Sequence, residues 1–177
     1  MGRAGAERDD GPHLARRAPR DGLADLVPRR GDRTLPVTTR HDLPEVDDFT
    51  RPYWDAAAEG RLLLRRCADC GRAHHYPREF CPHCWAGEER VTWEPASGRA
   101  TLYTWSVVHR NDLPPFGERV PYTAAVVDLA EGPRMMTEVV GCEAADLRIG
   151  MPLRVAFREG GPDAAAAAVP VFRPDRG

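Results

Sequence analysis

Two Cys-x-x-Cys pairs constrain this chain more than any other feature. Cys67-Ala68-Asp69-Cys70-Gly71 is followed, ten residues after Cys70, by Cys81-Pro82-His83-Cys84. A Cys-x-x-Cys places two sulfurs on one tight turn, so each pair supplies half of the thiolate tetrahedron that a zinc ion takes up. Gly71 follows the first knuckle, where a residue with positive φ is often needed, and Pro82 stiffens the second. Any fold available to the chain must bring these two turns together.

Disulfides are argued against by the doublet spacing and by the missing apolar signal core. A thioredoxin-like redox pair would sit in a βαβ unit and needs one pair, not two. An iron ion held by the same four sulfurs fits the pattern as zinc does. Four thiolates leave no open coordination position, which points to a structural ion and not a catalytic one. His74, His75 and His83 lie inside the loop and are expected to be solvated or to sit behind the sulfurs.

The chain has 177 residues, 42% of them apolar and only 7% aromatic, which predicts a modest core. The formal net charge of -2 gives no global pull toward nucleic acid or an anionic membrane. No apolar run approaches membrane-spanning length, and a cytoplasmic protein is the expectation. There is no lysine, so Schiff-base chemistry is excluded for this chain. Serine occurs only at Ser97 and Ser106, neither in a Gly-x-Ser-x-Gly elbow, and there is no Gly-rich phosphate loop and no His-Glu-x-x-His.

Residues 1–43, rich in Arg, Asp, Gly and Pro without a sustained period, read as a disordered tail or linker. Residues 1–41 carry nine arginines against six acidic residues, which leaves the remainder at about -5. Residues 44–66 form the next segment, a helix and a lead-in strand. Thr50 is placed to cap a helix with Pro52 in its first turn, Phe49 and Trp54 have hydrophobic-staple spacing, and Gly60 ends the helix. Trp54, Ala57 and Ala58 are expected on its packed face. Phe49, Tyr53 and Trp54 are candidate partner-binding residues, since two bulky aromatics on so short a helix need a surface to cover them. Leu62-Leu63-Leu64 leads into the zinc ribbon, 67–90.

Residues 91–174 read as all β. Alternation over 100–110 puts Thr101, Tyr103, Trp105 and Val107 on one strand face. Further strands follow over 122–129, 135–140 and 153–158, with loops at 111–120 and 160–168, and a last strand at 169–172. Five short strands suit a small OB-like barrel. The predicted fold class is therefore mainly β: a short N-terminal helix, a rubredoxin-like zinc ribbon, then a five-stranded OB-fold barrel.

The order of these parts resembles a known family. Gly60-Arg61-Leu62 precedes the first knuckle, Pro77-Arg78-Glu79-Phe80-Cys81-Pro82-His83-Cys84 carries the second, and Pro121-Tyr122, Glu131-Gly132 and Ile149-Gly150-Met151 punctuate the β segment. This is similar to the zinc-ribbon/OB-fold proteins that accompany thiolase-like enzymes, over about residues 44–174. The resemblance implies a non-catalytic or co-catalytic subunit, with Zn2+ on Cys67, Cys70, Cys81 and Cys84. It implies a thiolase-fold partner (a thiolase, an acyltransferase or a steroid side-chain retro-aldolase), in some members also a hotdog-fold enoyl-CoA hydratase. It also implies an OB domain that helps accommodate an acyl-CoA.

A CoA thioester is anionic at its nucleotide end and apolar along its arm, so arginines at a mouth and an apolar groove are expected. His109, Arg110 and Arg119, around the loop between the first two barrel strands, are the ligand-binding candidates. No catalytic residue is assigned; Cys142 reads as a small core or surface thiol. The alternative function is a single-stranded nucleic-acid-binding module, with Tyr103 and Trp105 stacking bases from one strand face. The acidic balance of the folded part argues against it.

Overall fold

A computed structural model describes residues 44–159 and 168–175, all within one compact unit, Val37–Gly177. The expected tail at 1–43 and most of the loop at 160–168 lie outside the described residues. Ala168, read as the end of that loop, instead opens a strand.

The chain enters through one helix, α1 (Arg51–Ala58), with Pro52 in its first turn. Thr50 does not cap it. Its hydroxyl and its N–H both donate to Asp47 Oδ1, at 2.6 and 2.7 Å, and the Arg51 N–H reaches the Asp47 carbonyl at 2.9 Å. The Thr50 hydroxyl is engaged on both counts by Asp47, donating to its carboxylate and accepting its N–H at 3.2 Å, and so makes no bond to the first helical turn. The helix ends as expected. Gly60 has φ +78°, its N–H bonds the Ala57 carbonyl, and the Arg61 N–H bonds the Ala56 carbonyl at 2.8 Å, a Schellman closure. The packed face is Tyr53, Ala56 and Ala57, while Ala58 is exposed and Trp54 half-buried. Phe49 pairs with Trp93 at a ring separation of 6.0 Å in place of the expected staple.

β1 (Leu63–Cys67) is the centre of a three-stranded antiparallel sheet, flanked by β2 (Ala73–His74) and β3 (Val91–Pro95). Leu62, Leu63 and Leu64 are all buried, because both faces of this strand are covered. Arg65 is buried too. Its guanidinium lies against the rings of Phe49 and Trp93, 5.5 and 4.9 Å from their centroids, which offsets part of the cost of burying a cation.

The remaining strands are β4 (Arg99–Val108), β5 (Tyr122–Leu129), β6 (Arg134–Val139), β7 (Pro152–Glu159) and β8 (Ala168–Pro174). They close in the order β4-β5-β6-β8-β7, antiparallel at every seam except β6–β8. This is the five-stranded OB barrel. Ala100, Leu102, Val127, Leu129, Leu153 and Phe172 face the inside, and Leu62–Leu64, Tyr53 and Ala56 join the same core. The helix and the lead-in strand are thus fixed to the barrel by shared apolar contacts.

One face assignment is overturned. Leu102 pairs with Val127 and Thr104 with Val126, so Tyr103 is the extra residue of a β-bulge. The slip of one residue exchanges the faces beyond it. Tyr103 is exposed beneath the Arg134 guanidinium, 3.5 Å from its ring centroid, whereas Trp105 packs against the core. The two rings do not form a shared stacking face. Among the described residues no helix is long and apolar enough to cross a membrane.

Candidate functional site

The two knuckles are built alike. In the first, the Gly71 N–H bonds the Cys67 carbonyl and the Cys67 N–H bonds the Arg72 carbonyl, at 3.0 and 3.1 Å. In the second, the Trp85 N–H bonds the Cys81 carbonyl and the Cys81 N–H bonds the Ala86 carbonyl, both at 2.9 Å. Each turn needs a left-handed residue after its second cysteine. Gly71 meets this at φ +71°, and Trp85 does so at φ +65° despite its side chain. Trp85 is 75% exposed and stacks on Phe80, with ring centroids 5.4 Å apart.

These turns bring the four sulfurs within 4.8 Å of one another, with Cys67–Cys84 and Cys70–Cys81 separations of 3.6 Å. The edge of a tetrahedron with metal–sulfur bonds of ~2.3 Å is about 3.8 Å, so the donor set fits a four-sulfur metal site. Electrostatics point the same way. Desolvation opposes ionisation of Cys81, but the backbone N–H groups of His83 and Cys84 and the adjoining thiols hold it down to about 7. Cys84 accepts from the Ala86 N–H, yet burial and the three neighbouring sulfurs push it up to about 12. Four thiolates can coexist here only around a cation.

A 560 Å3 groove opens between α1, residues 75–77 and the barrel. Trp54, Phe116, Met135, Met136 and Val171 make it largely apolar. Its polar end holds Arg119, Arg158 and Glu138. Arg158 Nη1 donates to Glu138 Oε2 at 2.5 Å, Arg119 Nη2 lies 3.8 Å from the same oxygen, and Arg119 stacks over Phe116 and Tyr122. Two guanidinium groups share one carboxylate at the end of an apolar trough, and Glu45 is a second carboxylate on its lining.

Of the ligand candidates, Arg119 lines this groove. His109 and Arg110 are exposed, and Arg110 is paired with Asp112 at 3.2 Å. Of the helix aromatics, Tyr53 and Trp54 line it, but Tyr53 is 5% exposed and consumed by this chain's own core. Phe49 covers Arg65 instead. Cys142 is half-buried against the main core. Sequence reasoning passed over Arg158, Tyr76 and the two methionines, which only the folded barrel gathers. It also placed His74 and His75 in solvent or behind the sulfurs. His74 is in fact buried, and His75 Nε2 lies 3.3 Å from the Tyr53 hydroxyl at the groove wall.

Burial, with a smaller contribution from His74, holds His75 down to about 4, so it is neutral at pH 7. The unfolded chain takes up this proton near 6.5 and the folded chain does not. Stability from neutral His75 is therefore complete above about pH 6.5 and falls between about pH 6.5 and 4, by an amount on the order of 2–3 kcal/mol. His75→Gln is expected to flatten that part of a melting-temperature profile against pH. An unchanged acid limb would show that this ring is not its source.

Comparison with known proteins adds the family. Residues 54–90 match the description "ChsH2, rubredoxin-like zinc ribbon domain", and residues 93–158 match "ChsH2, C-terminal OB-fold domain". A chain of a solved Ltp2-ChsH2(DUF35) aldolase superposes with a TM-score of 0.64 at 34% identity, over 75% of this chain and 98% of that one. A probable enoyl-CoA hydratase alpha subunit of Thermomonospora curvata is 36% identical over 133 residues, which is 74% of this chain and 39% of the relative. A 3-oxo-4,17-pregnadiene-20-carboxyl-CoA hydratase alpha subunit of Mycobacterium tuberculosis is 34% identical over 115 residues, 64% of this chain and 35% of the relative. The chain thus spans well under half the length of these two curated relatives.

Proposed function

The chain belongs to the ChsH2 (DUF35) family, and we propose that it is a zinc-binding accessory subunit of an acyl-CoA-processing complex. In this reading it docks on a catalytic partner of thiolase fold and contributes the apolar groove to the acyl-CoA. The observation that carries the proposal is the match over 98% of a ChsH2(DUF35) chain whose solved structure is an aldolase with Ltp2. The hydratase alpha subunits among the relatives support a CoA thioester as the substrate class, and in this reading a hotdog-fold hydratase is a further partner.

The groove suits that role. Its 560 Å3 lies in the range of small-molecule sites, its trough takes a hydrocarbon arm, and Arg119 and Arg158 face polar ends. The residues of the four-sulfur site fit zinc, which supplies a cross-link between the two knuckles and keeps no position open for water. Iron on the same sulfurs would announce itself by visible thiolate charge-transfer absorption, which zinc lacks.

The decisive test is affinity capture from the native organism with the tag at the C-terminus. A stoichiometric thiolase-fold enzyme is the expected prey, and turnover of an acyl-CoA by the isolated chain at an ordinary enzymatic rate would overturn the accessory reading. The groove has its own test. Ala124 sits on β5 at the groove floor, and Ala124→Phe is expected to fill it. Acyl-CoA affinity of the complex should fall roughly tenfold, about 1.4 kcal/mol, with assembly intact. Unchanged affinity would remove the groove from the substrate path.

A further inference from the structure

The segment carrying His75 and Tyr76 has a groove on each side. It lines the apolar groove, and it also lines a 660 Å3 cleft of opposite character between the ribbon and the turn joining β5 to β6. Four arginines border that cleft: Arg66, Arg72, Arg78 and Arg134. Glu131 is the one carboxylate among its described lining residues, in a chain whose folded part is net acidic.

The charges are not equivalent. Arg66 pairs with Glu94 and donates to the Gly71 carbonyl at 2.7 Å, and Arg134 donates to Asp128 at 2.7 Å. Glu131 Oε1 accepts the Ser97 N–H at 2.7 Å, while its Oε2 is buried without a partner and disfavours an anion on that side of the cleft. Arg72 and Arg78 make no ion pair among the described residues and are exposed; the Arg78 guanidinium lies over the Phe80 ring, 6.0 Å from its centroid, a face contact that leaves its N–H edge free. Behind them lies His74, only 4% exposed, lining the same cleft. The Arg78 backbone is the one hydrogen-bonding group beside its ring, so at most one ring nitrogen is engaged and the other is left open. A buried ring nitrogen without a partner costs free energy that a ligand oxygen would recover. Two open guanidinium forks, two tethered ones behind them and a buried imidazole form a receptor for a multiply charged oxyanion.

We propose that this cleft binds phosphate, with Arg72 and Arg78 as its principal ligands and His74 as a buried hydrogen-bonding partner. Taken with the acyl-CoA reading, on which this assignment of the ligand rests, the phosphate is that of the thioester's nucleotide end. The cleft and the trough share the His75–Tyr76 wall, so a molecule with a phosphorylated head and an apolar arm can engage both. Phosphate could also come from a free anion, and the two sources are separable.

The test is titration calorimetry on the full-length, metal-loaded chain with CoA, with pantetheine and with inorganic pyrophosphate. Wild type is compared with Arg72→Ala/Arg78→Ala and with Arg72→Lys/Arg78→Lys, and metal content checks the fold of each. The alanine pair is expected to weaken CoA about 10- to 100-fold and to leave pantetheine unchanged, with the lysine pair recovering part of the loss. CoA binding much tighter than pyrophosphate supports the thioester as source. Pyrophosphate binding that depends on the two arginines, without CoA binding, keeps the phosphate cleft and removes the acyl-CoA reading. CoA binding that is the same in wild type and the alanine pair, or no phosphate-dependent binding to wild type, overturns the cleft; the first of these leaves the acyl-CoA reading standing.

Discussion

Cys67→Ser is expected to abolish metal binding and unfold the ribbon while leaving the barrel closed. A serine hydroxyl does not ionise near neutral pH, so the variant offers three sulfurs where four are needed. The apolar support at this end of the molecule is slight. The cluster around the sulfurs holds only Cys67, Cys81 and Val91, with Ala86 against it. Two of those three are metal ligands themselves. Structural zinc contributes about 10–16 kcal/mol of apparent binding free energy in small modules, more than so few buried side chains can replace. Folding of 67–90 and metal uptake are then one equilibrium. The barrel side differs, because Leu62, Leu63 and Leu64 belong to the main core.

Metal analysis should show a fall from one ion per chain to less than about a tenth of one, in line with such coupling. Hydrogen exchange should lose protection over residues 67–90 and keep it in β5 and β7. Partner capture should be lost with the metal if the ribbon carries the docking surface. A serine variant holding a full equivalent of metal would refute the four-sulfur assignment.

How much of this was legible in the sequence follows from the distance over which each feature is determined. The knuckles are local: two residues between cysteines specify them, with a glycine at the positive φ of the first, although Trp85 takes that place in the second. Strand alternation is local too, and it located the strands themselves over 100–108, 122–129 and 153–158. The bulge at Tyr103 was not legible, since nothing in Leu-Tyr-Thr distinguishes an inserted residue from a paired one; only the register against β5 reveals it. The helix face was misjudged by one position for a similar reason. Asp47, not Thr50, organises the entry, and the rotation that buries Tyr53 is set by the barrel. The groove is the extreme case. Trp54, Tyr76, Arg119, Arg158 and Val171 come from five separate segments, and no window of sequence contains their juxtaposition. His74 and His75 lie between the two cysteine pairs in sequence and drew a reading in terms of the metal, whereas His74, at the end of β2, lines one cleft and His75, just beyond it, lines both.

Phe172→Ala should produce the opposite damage to Cys67→Ser. Phe172 is fully buried and heads the largest side chains of the core. It also stands where the barrel closes. Its Cα registers with Val155 on β7 and with Val139 on β6, and its carbonyl accepts the Val140 N–H at 2.8 Å. The β6–β8 seam has this single registered pair, where β4–β5 and β5–β6 have long ladders. Backbone pairing is short there, so the seam relies on the Thr137 hydroxyl, which donates to the Pro170 carbonyl at 3.1 Å, and on the buried Phe172 ring. Truncation to alanine removes the ring and leaves a cavity, at a cost of about 3–5 kcal/mol. That is a large share of the roughly 5–15 kcal/mol by which a domain is stable. A melting temperature lower by roughly 15 °C is expected, with Phe172→Leu losing only a fraction of it. The same strand supplies Val169, Pro170 and Val171 to the groove, so acyl-CoA affinity should fall together with stability. The metal should stay, because no sulfur ligand touches this part of the core. A Phe172→Ala chain that melts like wild type would mean that the β6–β8 seam is held by something other than this ring. Loss of metal in that variant would mean that the knuckles depend on barrel closure and are not a separately stabilised unit.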